Sequence, residues 1–534
     1  MPGTMLAFHY DLKRAMWTAD FMDRYAATLA DWGYNAILYE VEDKLRFSRH
    51  PAIAHADAIS ANETRARTDA LRRRGFQVIP LVQSLGHADY VLTKPAYEHL
   101  RESPEHESQY DPLSDKAREL ICELIDETIA AVQPESFFHL GGDETWNLGE
   151  SEKCAPVTKK IGKGGLYLRH MRPIIEHVLR HGLRPILWAD IALTHPEIVK
   201  EFPRELVWMD WDYWTGADRW NRLHIWGQKE ELDWVAYQTT KEKGEVKPEF
   251  IEHLEKYAVD DRSAKDGSFI GFPYTAALRE MGFDVIVAPT TRSWGDSMGI
   301  PLNADHLPNC FTGARRGRDA GLGACVTSWA VRHSHPLVSL PAAFAAAQGF
   351  GTNDPLDIPT LARAFTEQRY GIAAPEFADA LRLAEVRVPW CESREMTPPD
   401  EAAEAVAARL DRVNGEPGGR AALIETVESA AADLAEAEAL FADVRARAQR
   451  NAADLDYWLE GTRHTAFCAA FSLALLRDRP AVEGRTLRER LDAQRDETRR
   501  LFAADFPAVS VDKELAVRYA FHDSVLDKRT LRQA

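Results

Sequence analysis

Eight short and almost wholly apolar runs recur between residues 5 and 329, and their repetition limits the fold more than any other feature of the sequence. They are MLAFHY (5–10), NAILYE (35–40), FQVIPLV (76–82), SFFHLGG (136–142), RPILWAD (184–190), ELVWMDW (205–211), FDVIVAP (283–289) and LGACVTSW (322–329). Strands in parallel sheets are buried on both faces, so they read as continuous apolar runs. The pattern therefore predicts eight parallel strands.

Amphipathic segments with helical spacing lie between these runs, for example at 18–33, 62–75, 114–132 and 167–182. Strands that alternate with helices build parallel sheets, and eight such units predict a (β/α)8 barrel. An open eight-stranded sheet is the alternative. The chain lacks a glycine-rich dinucleotide turn after the first run, which counts against that alternative.

Two further regions follow from changes in composition. Residues 214–267 are too long for a simple loop and carry four tryptophans, so we interpret them as an insertion on the strand-end face. These residues either shape a site at that face or simply form a packed segment on the surface. After residue 352 the sequence turns rich in Ala, Leu, Glu and Arg with helical spacing. We predict a barrel over 1–352 and a helical region over 353–534 that braces the barrel or makes a homo-oligomer contact.

Composition excludes several classes of partner. Lysine plus arginine total 65 against 83 acidic residues, a net charge of −18 that argues against nucleic-acid binding. The chain has no apolar run of membrane-spanning length and no signal-like start, so we expect a cytoplasmic protein without a membrane partner. The six cysteines lack metal or redox spacing, and Cys122 and Cys325 read as buried thiols. We expect no cofactor and no metal.

In a barrel, active-site residues lie at the carboxyl ends of the strands. Carboxylates and tryptophans dominate the polar and aromatic residues found there. They are Asp11, Glu42, Asp43, Gln83, His87, Asp143, Glu144, Trp188, Asp190, Trp211, Asp212, Tyr213, Arg292, Trp294, Asp296, Trp329, Arg332 and His333. Flat rings stack on the apolar face of a pyranose and acids handle its oxygens, so this set predicts a sugar site.

The sequence FHLGGDETW (138–146) places Asp143 beside Glu144 at the end of the fourth run. Adjacent side chains of a regular strand face opposite ways, so both acids reach one site only if the strand bends. Gly141 and Gly142 permit that bend. Two neighbouring carboxyls push their proton affinities apart, which suits a general acid. The alternative is a helix start with acids in its first turn.

These residues carry a resemblance to a known family. HLGGDE (139–144) resembles the signature of glycoside hydrolase family 20, the β-N-acetylhexosaminidases. FHYDLKRA (8–15), ILYEVEDK (37–44), VIPLVQSLGHADYVL (78–92), LRPILWADI (183–191) and the Trp-Asp-Tyr of 211–213 resemble its hexosaminidase D-like branch, in order and at similar spacing. The resemblance covers about residues 5–350. It implies substrate-assisted catalysis, in which the 2-acetamido oxygen attacks the anomeric carbon and forms an oxazoline.

The resemblance also implies roles for individual residues. Glu144 would be the general acid and then the base, while Asp143 would hold the acetamide N–H. Tyr213 would donate to the acetamido oxygen, and His87 and His139 would orient the two acids. Four tryptophans are candidate walls around the sugar, of which we expect two or three to touch it. They are Trp188, Trp211, Trp294 and Trp329.

The sequence departs from the family where the outer hydroxyls of the sugar are held. The usual arginine after the first strand is replaced by DLKRA, with Lys13 and Arg14. The usual Trp-x-Glu after the last strand is replaced by SWAVRHSH (328–335), with Arg332 where an acid is expected. Asp43 and Arg332 are our candidates for these hydroxyls, unless Asp43 pairs with a neighbouring cation. Further candidates are His50, Arg46 and Asp296.

We therefore predict a retaining exo-β-N-acetylhexosaminidase that releases terminal GalNAc or GlcNAc from a glycan. One alternative is a two-carboxylate β-glycosidase in which Asp143 or another acid is the direct nucleophile. The other is a non-catalytic glycan-binding protein, against which the two intact acids count.

Overall fold

The computed structural model describes residues 4–228, 231–246, 248–293, 296–330, 334–391, 398–477 and 480–531. Eight parallel strands, numbered β1 to β8 here, close into a barrel in which β8 pairs with β1. The strands are β1 Met5–Asp11, β2 Ala36–Glu40, β3 Gln77–Leu81, β4 Phe137–His139, β5 Arg184–Trp188, β6 Val207–Trp211, β7 Asp284–Ala288 and β8 Gly323–Val326. The predicted (β/α)8 barrel is confirmed, and each strand coincides with one of the apolar runs, β1 extending one residue beyond its run to Asp11.

Helices cover the outside of the barrel, and some of them begin at a side chain that caps them. Thr18 accepts a hydrogen bond from the Phe21 N–H at 3.2 Å, and Ser60 forms a capping box with Glu63. The helices of this layer are Ala19–Asp31, Ala61–Arg73, Asp89–Leu92, Asp115–Val132, Ala155–Arg180 (interrupted at Gly162), Asp190–Thr194, Pro273–Glu280, Asn303–Ala320 and Leu340–Gly351. The 3-10 turns are Glu42–Lys44, Pro51–Ile53, Glu98–Leu100, Pro196–Glu201 and Pro336–Ser339.

The interior of the barrel is a packed core. Alternate residues of the strands point inward and bury their side chains together, among them Ala7, Leu38, Ile79, Ile186, Met209, Ile286 and Cys325. Trp188 at the end of β5 is fully buried in this core, and Trp211 and Trp329 pack on it while still partly exposed. The core therefore ends in aromatic rings at the carboxyl ends of the strands, where a site is expected.

The predicted insertion leaves the barrel at the end of β6 and returns before the helix Pro273–Glu280. It contains a short antiparallel pair, Arg219–Trp220 with Phe269–Ile270, and the helices Trp234–Glu242, Pro248–His253, Glu255–Ala258 and Ser263–Asp266. Its rings pack behind Trp211, whose centroid lies 4.5 Å from that of Trp226 and 6.0 Å from that of Trp214. The insertion thus braces one of the aromatic side chains at the strand ends.

Beyond the barrel, the described part of the chain is helical. The helices are Ile358–Tyr370, Phe377–Ala384, Ala402–Gly415, Gly419–Arg447, Asp454–Leu476, Pro480–Phe502 and Ala508–Leu531. The predicted helical region is therefore confirmed, whereas the domain boundary at residue 352 stays a prediction. Among the described helices, none combines the length and the hydropathy needed to cross a membrane.

The helical region shares one hydrophobic core with the barrel. Polar contacts also cross the interface: the Ser510 hydroxyl donates to Asp57 Oδ2 at 2.5 Å, and His335 stacks on Tyr457 with ring centroids 3.8 Å apart. A close backbone approach joins Gly461, on the helix Asp454–Leu476, to Gly299 in the loop after β7. A side chain on Gly461 would place its Cβ 2.7 Å from the carbonyl oxygen of Gly299.

This contact predicts opposite effects for two glycine-to-alanine changes. Gly461→Ala should destabilise the protein, because overpacking costs about 1–3 kcal/mol and outweighs the gain of up to about 1 kcal/mol that alanine brings to a helix. Gly415→Ala is the matched control, since its added Cβ would meet nothing within 4 Å. Urea unfolding of both variants measures the difference, and a Gly461→Ala variant as stable as Gly415→Ala would contradict the close packing.

Candidate active site

The turn after β4 brings the two adjacent acids to one side of the barrel mouth. Gly141 and Gly142 have φ angles of 62° and 87°, and Glu144 itself has a φ of 49°. A Cβ on Gly141 would collide with the side-chain oxygen of Gln83, and one on Gly142 would lie 2.8 Å from the Tyr167 hydroxyl. Only glycine fits both positions. The predicted bend is therefore present, and it replaces the alternative of a helix that starts at these acids.

His87 lies between the two acids. Its Nε2 is 3.4 Å from Asp143 Oδ2 and 3.2 Å from Glu144 Oε2. Burial opposes the charged imidazole, but the two carboxylates overcome this and raise the pKa of His87 well above its usual value. The ring is therefore a cation at neutral pH that orients both acids. The orienting role that the resemblance implied for His87 stays a prediction.

Asp190, just after β5, is a third carboxyl in this group. It is fully buried, and its Oδ2 accepts a hydrogen bond of 2.9 Å from the backbone N–H of Glu144. Burial and the charge of Asp143 raise the pKa of Asp190 to about 8. Asp190 is therefore neutral at pH 7 and holds the strained backbone of Glu144 in place. The sequence placed Asp190 only among the strand-end residues.

His139, at the end of β4, binds the backbone of the turn that follows this strand. Its Nδ1 accepts a hydrogen bond of 2.9 Å from the Gly141 N–H, and its ring lies 4.6 Å from that of Trp188. Burial lowers the pKa of His139 to about 3, so the ring stays neutral. Because Nδ1 accepts, the ring proton resides on Nε2. His139 thus orients the acids through the glycine backbone rather than by contact with a carboxylate.

Aromatic side chains line the space beside the acids. Trp329 Nε1 donates to the Tyr213 hydroxyl at 2.9 Å, and the Trp188 and Trp329 rings lie 5.8 Å apart. The Trp211 ring lies 4.9 Å from that of Tyr213. Burial raises the pKa of Tyr213 well above 10, so its hydroxyl remains protonated. Three of the four predicted tryptophans therefore meet here, and Trp294 lies outside the described residues.

Several buried polar atoms around these strand ends have no hydrogen-bond partner among the described residues. They are Asp143 Oδ1, His139 Nε2, Trp188 Nε1, Asp190 Oδ1 and Trp211 Nε1. Buried polar groups are normally paired. A set of free donors and acceptors at the mouth of the barrel therefore indicates that the place binds a polar ligand.

Lys13 occupies the rim next to Trp329. Its Nζ lies 4.7 Å from the centroid of the Trp329 ring, 3.2 Å from Asp11 Oδ2 and 3.4 Å from Glu40 Oε1. Burial opposes its charge, but Asp11 and Glu40 raise the pKa of Lys13 above its usual value. A fixed cation therefore stands in the DLKRA segment where the family usually has arginine.

The other candidates for the outer hydroxyls have protein partners. Asp43 Oδ1 accepts from Lys44 at 2.5 Å, the pairing that the sequence left open. His50 lies 2.7 Å from Glu123, and Asp296 accepts from His306 at 2.9 Å. Arg46 donates to the backbone carbonyl of Ala58 at 2.9 Å. The remaining candidates, Arg332 and His333, lie outside the described residues.

One cluster that sequence reasoning did not single out has the donor set of a metal site. His177 Nε2 and His181 Nε2 lie 2.7 Å and 2.9 Å from the same oxygen of Asp126. It lies on the outer helices, away from the strand ends, and Arg180 contacts His177 Nδ1 at 3.1 Å. The spacing HVLRH was visible in the sequence, but Asp126 comes from another helix. The three side chains of the cluster satisfy one another by hydrogen bonds at the protein surface.

The fold and the site together define a class of protein: a (β/α)8 barrel whose strand ends carry an acid pair beneath aromatic walls, as in glycoside hydrolases. Comparison with known families bears on this class. Residues 62–255 match the model described as "Glycosyl hydrolase family 20, catalytic domain", so the predicted resemblance to that family is confirmed over these residues.

The chain is also similar to curated proteins and to a solved structure. It is 29% identical over 222 residues to hexosaminidase D of Bos taurus and 28% identical over 225 residues to hexosaminidase D of Homo sapiens. These matches cover 40% and 41% of this chain, and only 64% and 46% of the two relatives. A Flavobacterium johnsoniae chitobiase structure shares the fold, with a TM-score of 0.51 and 15% identity over 92% of this chain and 75% of its own.

The raised pKa of Asp190 predicts a specific pH dependence of stability. An aspartate in an unfolded chain titrates near about 3.9, whereas Asp190 in the folded protein titrates at about 8. Between these values the folded protein keeps a proton that the unfolded chain releases, so this group lowers stability as the pH rises. Asp190→Asn removes that effect and keeps an oxygen that can accept from Glu144.

We expect the free energy of unfolding of Asp190→Asn to increase relative to the wild type as the pH rises from 4 towards 8, because only the wild type loses stability over that range. Denaturant unfolding at several pH values measures this difference. Asp190→Ala serves as the control that loses the acceptor as well. Parallel pH profiles of the wild type and Asp190→Asn would show that Asp190 is ionised in the folded protein.

Proposed function

We propose that this protein is a retaining exo-β-N-acetylhexosaminidase that releases terminal β-linked GalNAc and GlcNAc by substrate-assisted catalysis. The observation that carries the proposal is the cluster of Asp143, Glu144 and His87 beside the Tyr213 hydroxyl. The match to the family model and the names of the two hexosaminidase D relatives support it. This chain spans only 64% and 46% of the lengths of those relatives. We therefore base the proposed activity on the residues of the site and not on the relatives' names alone.

In the first step, Glu144 acts as the general acid. Its side chain is 39% exposed at the mouth, where a glycosidic oxygen can reach it, and His87 orients it. The substrate's acetamido oxygen attacks C1 as the bond from C1 to the leaving oxygen breaks. Glu144 gives its proton to that oxygen, and an oxazoline forms. Since the internal oxygen is the nucleophile, no protein carboxylate bonds to the sugar.

Asp143 and Tyr213 are suited to hold the acetamido group during this attack. Asp143 is buried, and its Oδ1 has no partner among the described residues, so it can accept from the acetamide N–H. Trp329 donates to the oxygen of Tyr213, which leaves the phenolic hydrogen able to donate to the acetamido oxygen. A carboxylate in a dry pocket stabilises the positive charge that develops on the oxazoline nitrogen.

In the second step, the Glu144 carboxylate takes a proton from water while the water oxygen attacks C1. The bond between C1 and the oxazoline oxygen breaks, and the acetamido group is restored. Two inversions at C1 give net retention. Trp188 at the base and Trp211 and Trp329 at the sides form the apolar walls that exclude bulk water from the oxazoline.

Replacing the acid tests the assignment of Glu144. Glu144→Gln should lower kcat/KM on aryl β-GlcNAc and aryl β-GalNAc by about 10²–10⁴-fold, the usual contribution of a general acid. Glu119→Gln is the matched control, because it removes an exposed carboxylate on an outer helix. Thermal unfolding of both variants checks that the fold is retained. Turnover by Glu144→Gln at the wild-type rate would refute the assignment.

A second experiment tests substrate assistance. Aryl β-glucoside has a hydroxyl in place of the 2-acetamido group, so it lacks the internal nucleophile. We expect it to be hydrolysed far more slowly than aryl β-GlcNAc, and we expect a thiazoline analogue of the oxazoline to inhibit competitively. Comparable rates on the two glycosides, without thiazoline inhibition, would favour a direct carboxylate nucleophile. The ratio of aryl β-GalNAc to aryl β-GlcNAc rates gives the preference at C4.

A further inference from the structure

Trp146, two residues after the proposed acid, exposes its ring to solvent. It is 55% exposed and is the one aromatic side chain among the large exposed hydrophobics in the described part of the chain. The other tryptophans around the strand ends, such as Trp188, Trp211 and Trp329, are buried or half-buried in ring contacts. An exposed indole presents a large apolar face that a ligand can cover.

The local backbone places this ring beside Glu144. The Trp146 N–H donates to the carbonyl oxygen of Glu144 at 2.9 Å, which closes a three-residue turn around Thr145. Thr145 is buried, whereas Glu144 and Trp146 are exposed. The side chains on either side of Thr145 therefore both reach solvent, two residues apart on one turn.

The turn is also clamped in position. A Cβ on Gly86 would lie 3.1 Å from Cγ2 of Thr145 and even closer to the backbone carbonyl of Asp143, so the segment packs directly against the loop that carries His87. From the other side, Asp190 fixes the Glu144 N–H at 2.9 Å. Trp146 is thus an exposed ring on a rigid support, which lowers the entropic cost of binding a ligand.

The position of Glu144 decides which part of a substrate meets Trp146. A general acid contacts the oxygen that joins the released sugar to its leaving group. The proposed function assigns the released sugar to Asp143 and to the buried or half-buried rings of the strand ends. Trp146 is the exposed ring that lies two residues from Glu144 along the chain, so it is available to the leaving group.

We propose that Trp146 forms a binding surface for the leaving group and that this group is itself a ring, such as the pyranose of a second sugar. The inference rests on the proposed function. An indole face covers the apolar C–H face of a pyranose, as the inner tryptophans do for the released sugar. The protein would therefore favour substrates in which the terminal N-acetylhexosamine is attached to another sugar.

Two substrates that share the released sugar and differ in the leaving group test this surface. One is a disaccharide with terminal β-GlcNAc on a second pyranose, and the other is methyl β-GlcNAc. In Trp146→Ala, the ratio of kcat/KM for the disaccharide to that for the methyl glycoside should fall about 10–100-fold, the range for losing one hydrophobic contact. The fall should appear mainly in KM, because stacking acts equally in ground and transition states.

Two further variants sharpen the result. Trp146→Phe keeps a ring and should retain most of the ratio. Val235→Ala removes another exposed apolar side chain, 73% exposed in the insertion, and should leave the ratio unchanged. An unchanged ratio in Trp146→Ala, or an equal loss on both substrates, would overturn the inference. Wild-type protein that hydrolyses neither substrate would instead refute the proposed function.

Discussion

The left-handed turn at Gly141, Gly142 and Glu144 is the constraint on which the site depends. It ends β4 after only three paired residues and directs two consecutive acids to the same side. Three separate elements maintain it: His139 binds the Gly141 N–H, Gln83 leaves no room for a side chain at Gly141, and Asp190 binds the Glu144 N–H. The strained backbone is stable because its surroundings allow no other conformation.

The charges of the site are coupled through this turn. The His87 imidazole faces the carboxyl groups of Asp143 and Glu144, which raise the pKa of His87 well above its usual value although burial opposes the charge. Burial and the charge of Asp143 raise the pKa of the third carboxyl group, that of Asp190, to about 8. Asp190 can therefore accept from a backbone amide without adding charge.

The sequence predicts the parts of this arrangement that depend on local pattern. Eight apolar runs gave the eight strands, and the adjacent Asp143 and Glu144 after two glycines marked the bend. The role of Asp190 was missed, because its partner is a backbone N–H of another strand end and backbone partners leave no trace in composition. The sequence did not single out Trp146, because the exposure of a side chain is a property of the folded chain. The cluster of Asp126, His177 and His181 was also missed, because Asp126 lies on a different helix from the two histidines.

The contact between Gly461 and Gly299 has a consequence for how such a barrel can diversify. Gly299 belongs to the loop after β7, one of the loops that form the rim of the mouth, and it meets a helix of the C-terminal region with no side chain between the backbones. A side chain on either glycine would force the loop and the helix apart, although both pack on one shared core. The C-terminal helix therefore restricts which residues this part of the rim can carry.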